Sequence, residues 1–197
     1  MKVLEFKVID NTYDSDMHYK WWSRIYEYPL VLSLLKKYSA DKNSKIHNTS
    51  WGSEKFGSVY LDNHVKFKNK LDNDYEDVLH TDLIMSKLDK TDTYDITTRP
   101  SDKYINYFDF VLNISTLEEV KNDHINSFNN LMSMLKENGH LIITFDLPGL
   151  QLEKFENLFN QKIKSVENPL NGTNSKFQNK GYSHLNCGYL VVKNTRE

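Results

Sequence analysis

From Lys45 onward the apolar positions follow two rhythms in turn. Short apolar runs of strand length fall at Lys45–Ser50, Val78–His80, Thr93–Ile96, Phe108–Leu112, His140–Phe145, Ile163–Val166 and Tyr189–Val192. Phe108–Leu112 and His140–Phe145 are nearly continuous, the pattern of strands buried on both faces of a parallel sheet. Between them apolar residues recur every three or four positions, as on one face of a helix. Asp62 caps a helix carrying Val65, Phe67 and Leu71. Thr116 and Glu119 match a capping box, and the helix restarts near Asp123 with Ile125, Phe128, Leu131, Met132 and Leu135 before Gly139 closes it. Pro148-Gly149 turns into a helix with Leu150, Leu152, Phe155, Leu158 and Phe159 on one face. A long polar loop, Asn168 to His184, joins the last two strands, which can pair antiparallel.

The first 44 residues read differently, as a helical, aromatic-rich lead-in with Tyr19, Trp21, Trp22, Tyr26 and Tyr28. Pro29 suits the first turn of a helix, where its missing N–H is no loss. Leu30, Val31, Leu34, Leu35 and Tyr38 follow at helical spacing. The alternation after residue 44 predicts an α/β chain, a mostly parallel sheet of about seven strands sandwiched by helices. The lead-in, 1–44, would cap the body, 45–197, within one domain. Open sheets of this kind bind ligands beyond the C-terminal ends of their strands. Candidate chemistry therefore gathers at Asn48–Gly52, Asp82, Asp95–Thr97, Asn113–Thr116 and Asp146–Gly149.

Composition narrows this picture. Lys and Arg number 25 against 27 Asp and Glu, a net charge of −2 that offers no field for a polyanion and argues against a dedicated nucleic-acid binder. No apolar run approaches the ~20 residues of a membrane span, and the N-terminus, which alternates charged and apolar residues, lacks the form of a signal peptide. A cytoplasmic protein is expected. One cysteine, Cys187, permits no internal disulfide. His64, His80 and Asp82 are metal-ligand types without a spacing that makes them converge, so no metal is expected. No Walker loop, GxGxxG or nucleophile-elbow serine is present.

The segment FDFVLNISTLEEV, the turn LKENGHLIITF and the two terminal strands resemble the second half of class I S-adenosylmethionine-dependent methyltransferases, where the corresponding stretches read FDxVxxxxxLEHV and LKPGGxLIIT. WSRIYEYPLVLSLL is similar to the cap helix of members acting on small molecules and glycans, and the resemblance spans Trp22 to Lys193. It implies a Rossmann-like sheet with an antiparallel last strand and an N-terminal helical cap. The chain departs from the family at the loop after the first strand. The family's D/E-x-G-x-G-x-G is here His47-Asn48-Thr49-Ser50-Trp51-Gly52, with one aligned glycine and no acid; Gly57 can serve the same turn.

The resemblance implies S-adenosylmethionine as cofactor. Ser50, Trp51 and Gly52 would form the cradle, Asp82 would meet the ribose, and Asp95 with Ile96 the adenine. Asn113 and Ser115 would line the transfer site, and Arg24 or Tyr28 would approach the cofactor's carboxylate end. Asp82 lies further along than the usual ~20-residue interval. Asn113-Ile114-Ser115-Thr116 lacks the prolines of the nucleic-acid amino-methylating enzymes, which disfavours that substrate class. Asp146, Glu118 and His184 are the candidate general bases for a hydroxyl acceptor. Two of them have a plain structural reading too: Asp146 as a turn residue, Glu118 as a solvated carboxylate in a first helical turn. Two functions stay open: methyl transfer to a small molecule or glycan sugar, or a binding or scaffold protein on the same fold without cofactor.

Overall fold

The computed structural model describes residues 1–9, 24–51, 58–121, 123–147, 149–164 and 186–196. Among these residues seven strands form one sheet: β1 (Lys2–Val8), β2 (Lys45–Thr49), β3 (Asp77–Asp82), β4 (Thr91–Thr93), β5 (Phe108–Ile114), β6 (Leu135–Leu147) and β7 (Asn186–Lys193). Four helices accompany them: α1 (Arg24–Lys37), α2 (Ser58–Asp74), α3 (His124–Ser133) and α4 (Leu152–Phe159). The strand order is β1-β7-β6-β5-β2-β3-β4. β2, β3, β4, β5 and β6 pair in parallel, and β7 runs antiparallel between β6 and β1. The expected α/β architecture is present.

Each face of the sheet carries its own apolar layer. On one, Leu30, Val31, Leu34 and Leu35 of α1 and Phe67 and Leu71 of α2 meet Ile46, Phe110, Leu112 and Val191. On the other, Phe128, Leu131 and Met132 of α3 and Phe155 of α4 meet Val111, Leu141, Ile143, Phe145 and Val192. Leu158, placed on the buried face of α4 by its spacing, is 39% exposed. The pairing of β5 with β6 shifts register between Phe108 and Phe110, so Phe108 and Val111 share a face although three residues apart.

The N-terminus corrects the sequence reading most. Lys2–Val8 is a strand, not part of a helical lead-in, and it pairs with β7 from Lys2 opposite Lys193 to Val8 opposite Gly188. Of the expected strand at 163–166, Lys164 makes a parallel bridge with Lys7 on the far side of β1, and 165–166 lie outside the described residues. β1 thus takes the place beside β7 where a neighbouring strand from the chain's end was expected. Glu5, buried in this strand, accepts hydrogen bonds from Lys37, Tyr38 (2.8 Å) and Tyr189 (3.0 Å). Those donors and Lys7 hold its pKa down, to about 2, against the opposing effect of burial.

Smaller corrections have local causes. Pro29 lies inside α1, which starts at Arg24. Asp62 is interior to α2, since the Ser-Val-Tyr-Leu turn before it contains no breaker. The capping box does not form: Thr116 donates its hydroxyl to the Ile114 carbonyl (3.1 Å), and a short 3-10 turn, Leu117–Glu119, follows. Asp123 caps α3 by accepting from the Ile125 N–H (3.1 Å), as expected. Gly139 is not a helix cap but sits within β6, where a Cβ would lie 3.0 Å from the Asp109 carbonyl oxygen; Asn138 before it takes the left-handed turn, φ 64°. β4 ends before Asp95 because that carboxylate accepts from the Thr97 N–H (2.9 Å) and hydroxyl (2.7 Å), closing a tight turn.

Candidate functional site

After β2 the chain builds β3 and β4 to one side, and afterwards β5, β6 and β7 to the other. That reversal opens a crevice at the C-terminal ends of β2 and β5. The residue directly after each strand is a serine in the left-handed region, Ser50 at φ 53° and Ser115 at φ 42°. Such a conformation costs a non-glycine residue ~1–3 kcal/mol and persists where the surroundings impose it, often at ligand sites.

Between these serines the β2–β5 pair carries a polar bridge. Asn113, wholly buried, donates from Nδ2 to Thr49 Oγ1 (2.9 Å), and Thr49 donates to the Leu112 carbonyl (2.8 Å). Asn113 Oδ1 is buried without a hydrogen-bond partner. Beside Ser50, Trp51 is 3% exposed, with its N–H on the Thr81 carbonyl (3.2 Å) and its ring edge-on to His80. Its indole Nε1 is also buried without a partner. Gly52 and Gly57 lie outside the described residues.

Towards the β4 edge, half-buried Asp82 ends β3 and accepts a long contact from the Ile84 N–H (3.4 Å). Leu83 and Met85 after it are strongly exposed. Asp95 and buried Ile96 follow β4, and Asn130 of α3 holds the Ile96 carbonyl (3.0 Å). Beneath this half lies a closed histidine network. His47 shares a hydrogen bond with Thr81 (2.8 Å), and burial pushes its pKa down to about 3. His80 meets Asn48 Nδ2 at Nδ1 (3.1 Å), which leaves Nε2 as the donor to Asp72 (3.2 Å). Burial lowers the His80 pKa, and the Asp72 carboxylate opposes that shift.

Near the C-terminal ends of β5 and β6 three carboxyl groups lie close enough to act on one another electrostatically. Asp146, 5% exposed, donates its backbone N–H to Glu118 Oε1 (2.8 Å). Glu118 Oε2 is shut off from solvent and has no hydrogen-bond partner. Burial raises the Glu118 pKa well above the usual carboxylate range, and the Asp146 and Glu27 charges raise it further. Glu27 of α1, wholly buried, accepts from Ser115 Oγ and Thr144 Oγ1 at 2.5 Å each. Thr144 and Asp146 are two apart on β6 and so share a face. Cys187, opposite Asp146 on β7, reaches it at 3.8 Å.

The structure therefore brings together Ser115, Glu118 and Asp146 in one group, and Ser50, Trp51 and Asn113 in another across the crevice. Tyr28 joins neither: its hydroxyl is within 2.5 Å of His64 Nδ1 and its ring stacks on Phe67. The side chain of Arg24 and all of His184 fall outside the described residues. Among those residues no three His, Cys, Asp or Glu side chains gather as a metal site. Sequence reading did not single out Glu27 for the site. The available signal was a carboxylate on the same α1 face as Leu30, Val31 and Leu34, an acid inside a core stripe.

No protein-family model matches the chain, and no curated protein is similar to it. Solved structures are similar. The cyclase SpnF superposes with a TM-score of 0.57 at 10% identity, over 98% of this chain and 88% of that one. The CurJ carbon methyltransferase gives 0.57 at 12%, over 88% and 54%. The Burkholderia thailandensis 1,6-didemethyltoxoflavin-N1-methyltransferase, solved with 1,6-didemethyltoxoflavin and S-adenosylhomocysteine, gives 0.55 at 9%, over 88% and 79%. The fold is that of the class I S-adenosylmethionine-dependent methyltransferases. On this methyltransferase fold the crevice carries groups suited to such a cofactor: the orphaned Asn113 Oδ1, two strained serines and the half-buried Asp82 carboxylate. No described helix is long and apolar enough to cross a membrane.

Proposed function

We propose that this protein transfers a methyl group from S-adenosylmethionine to a small molecule or a glycan sugar. One observation carries the reading: the crevice between β2 and β5, edged by left-handed Ser50 and Ser115, with the buried Asn113 Oδ1 unmatched between them. Ser50, Trp51, Gly52 and Asn113 would hold the methionine end, Asp82 the ribose, and Asp95 and Ile96 the adenine. Since the Tyr28 hydroxyl is engaged by His64, Arg24 is the better candidate for the cofactor's carboxylate. The cofactor supplies an already activated methyl group, so the chain's main task is alignment, which contributes ~7–11 kcal/mol. Glu118 or Asp146 would take a proton from the acceptor, an effect of ~10²–10⁴-fold, with His184 as a third candidate.

Isothermal titration with S-adenosylmethionine and S-adenosylhomocysteine tests the proposal. Micromolar binding supports it. No heat at millimolar ligand overturns it in favour of a binding or scaffold protein. The indole of Trp51, buried where the family has a glycine turn, is the observation on that second side.

A further inference from the structure

Glu27 stands in an uncommon place for a carboxylate. It is wholly buried on the face of α1 that carries Leu30, Val31 and Leu34 into the core. The helix has other means of docking. That apolar stripe lies in the core layer, Lys37 in its last turn donates to Glu5, and Tyr38 just beyond the helix does the same (2.8 Å). Taking a carboxylate out of water is costly, and an apolar residue of similar volume in such a position is often as stable or more so. What Glu27 adds is a hold on the turn after β5. Ser115 Oγ and Thr144 Oγ1 both donate to its Oε1, at 2.5 Å each. The Ser115 N–H donates in turn to the Thr144 carbonyl (3.0 Å). Ser115 is thereby fixed from two sides, its hydroxyl by α1 and its backbone by β6. It is also the residue at φ 42°, a conformation that a serine keeps where its surroundings impose it. Two residues before it, Asn113 is committed to Thr49 through Nδ2, while its Oδ1 has no partner.

We infer that Glu27 is a positioning residue: by holding the Ser115 hydroxyl it imposes the left-handed turn after β5, and so sets the Asn113–Ser115 segment in the form that receives the cofactor. This rests on the methyltransferase reading for the identity of the ligand, and it makes the first helix part of a site otherwise built from strand ends. Glu27 acts through Ser115 and touches no ligand. A glycine at position 115 would take the same turn without being held, because it has no Cβ to strain. The hold therefore matters only while residue 115 carries a side chain. An anchor for α1 behaves differently, since no change at residue 115 could replace it.

The test uses the intact chain and S-adenosylhomocysteine, titrated calorimetrically, with urea unfolding of every variant alongside. Glu27→Leu, similar in size but without an acceptor, is expected to bind about tenfold more weakly, a change of ~1.4 kcal/mol. Ser115→Ala keeps the Cβ and loses the hydroxyl; it should weaken binding by a similar factor, and the two changes together by no more than either alone. Ser115→Gly placed in the Glu27→Leu protein should restore affinity to within about threefold of wild type, the remainder being glycine's own loss of freedom. Glu27→Gln keeps an oxygen for both hydroxyls and should recover most of the affinity that Glu27→Leu loses. If Glu27→Leu does not fold, Ser115→Gly is compared with Ser115→Ala and should bind at least about threefold tighter. Additive losses, no rescue by glycine, or unchanged affinity in Ser115→Ala would each overturn the inference. Crystal structures of unliganded Glu27→Leu and Ser115→Ala read the turn without any ligand. Residue 115 should have left the left-handed region in both, and a positive φ retained there would overturn the inference as well. Absence of S-adenosylhomocysteine binding to the wild-type protein sinks the methyltransferase proposal instead, and the hold on the turn is then decided by those two structures.

Discussion

The two halves of the sheet treat their buried polar groups in opposite ways. Under β2 and β3 they close on one another: His47 on Thr81, His80 on Asn48 and Asp72, and Lys68 on Asp72 at 2.7 Å. At the ends of β5 and β6 they converge but stop short, leaving Asn113 Oδ1 and Glu118 Oε2 unmatched. A network with its partners in place contributes to holding the fold. One that ends in an unmatched atom stores a cost that a ligand can relieve. Substitutions in the first half should therefore register as stability, and those around the crevice as binding.

The largest expected effect comes from breaking the closed half. Asp72→Ala strands His80 and Lys68, both almost fully buried, without their common carboxylate. A loss of ~3–5 kcal/mol is expected in urea unfolding. A loss below ~1 kcal/mol, the level of an exposed ion pair, would erase the distinction between the halves.

Next is Asp82→Ala, at the crevice. It should cost ~1.5–3 kcal/mol of S-adenosylhomocysteine affinity if the carboxylate meets the ribose. Thermal unfolding of the unliganded variant, measured beside it, separates a loss of affinity from a loss of fold. Unchanged affinity would move Asp82 out of the site.

The smallest effect at neutral pH, absent there and growing in acid, belongs to His47. Its folded pKa of about 3 lies below the unfolded value of 6.5, so the unfolded chain binds the proton the fold refuses. Stability is full above pH 6.5 and falls as pH drops towards 3, by about 1.4 kcal/mol per unit. His47→Gln should flatten the wild-type curve by that slope. The Glu5 contribution is distinguishable, since it fades only below pH 4.5 as the carboxylate is protonated towards about 2.

The sequence showed β5 and β6 clearly, because a strand buried on both faces writes itself as an unbroken apolar run, FDFVL and HLIITF. It also placed Asn113, Ser115, Glu118 and Asp146 near strand ends, since that follows from element order alone. β1 was hidden for a physical reason. Its alternation, KVLEFKV, is that of a half-buried strand, yet Glu5 on it is buried, and what balances that charge lies on α1 and β7. Glu27 was hidden likewise, since its hydroxyl partners Ser115 and Thr144 are far along the chain. Nor could spacing show that Tyr28 turns towards His64 instead of the crevice.

The pairing of Lys2 with Lys193 bears on how the molecule is made. Synthesis is vectorial, at roughly 5–20 residues per second, and early segments usually fold as they emerge. Here β1 leaves the ribosome before the other described strands but must wait for β7, which pairs with it on one side and with β6 on the other. Until then its backbone edges and the apolar Phe6 and Val8 have no sheet to join. Of the described strands, the earliest made is therefore among the last to be ordered.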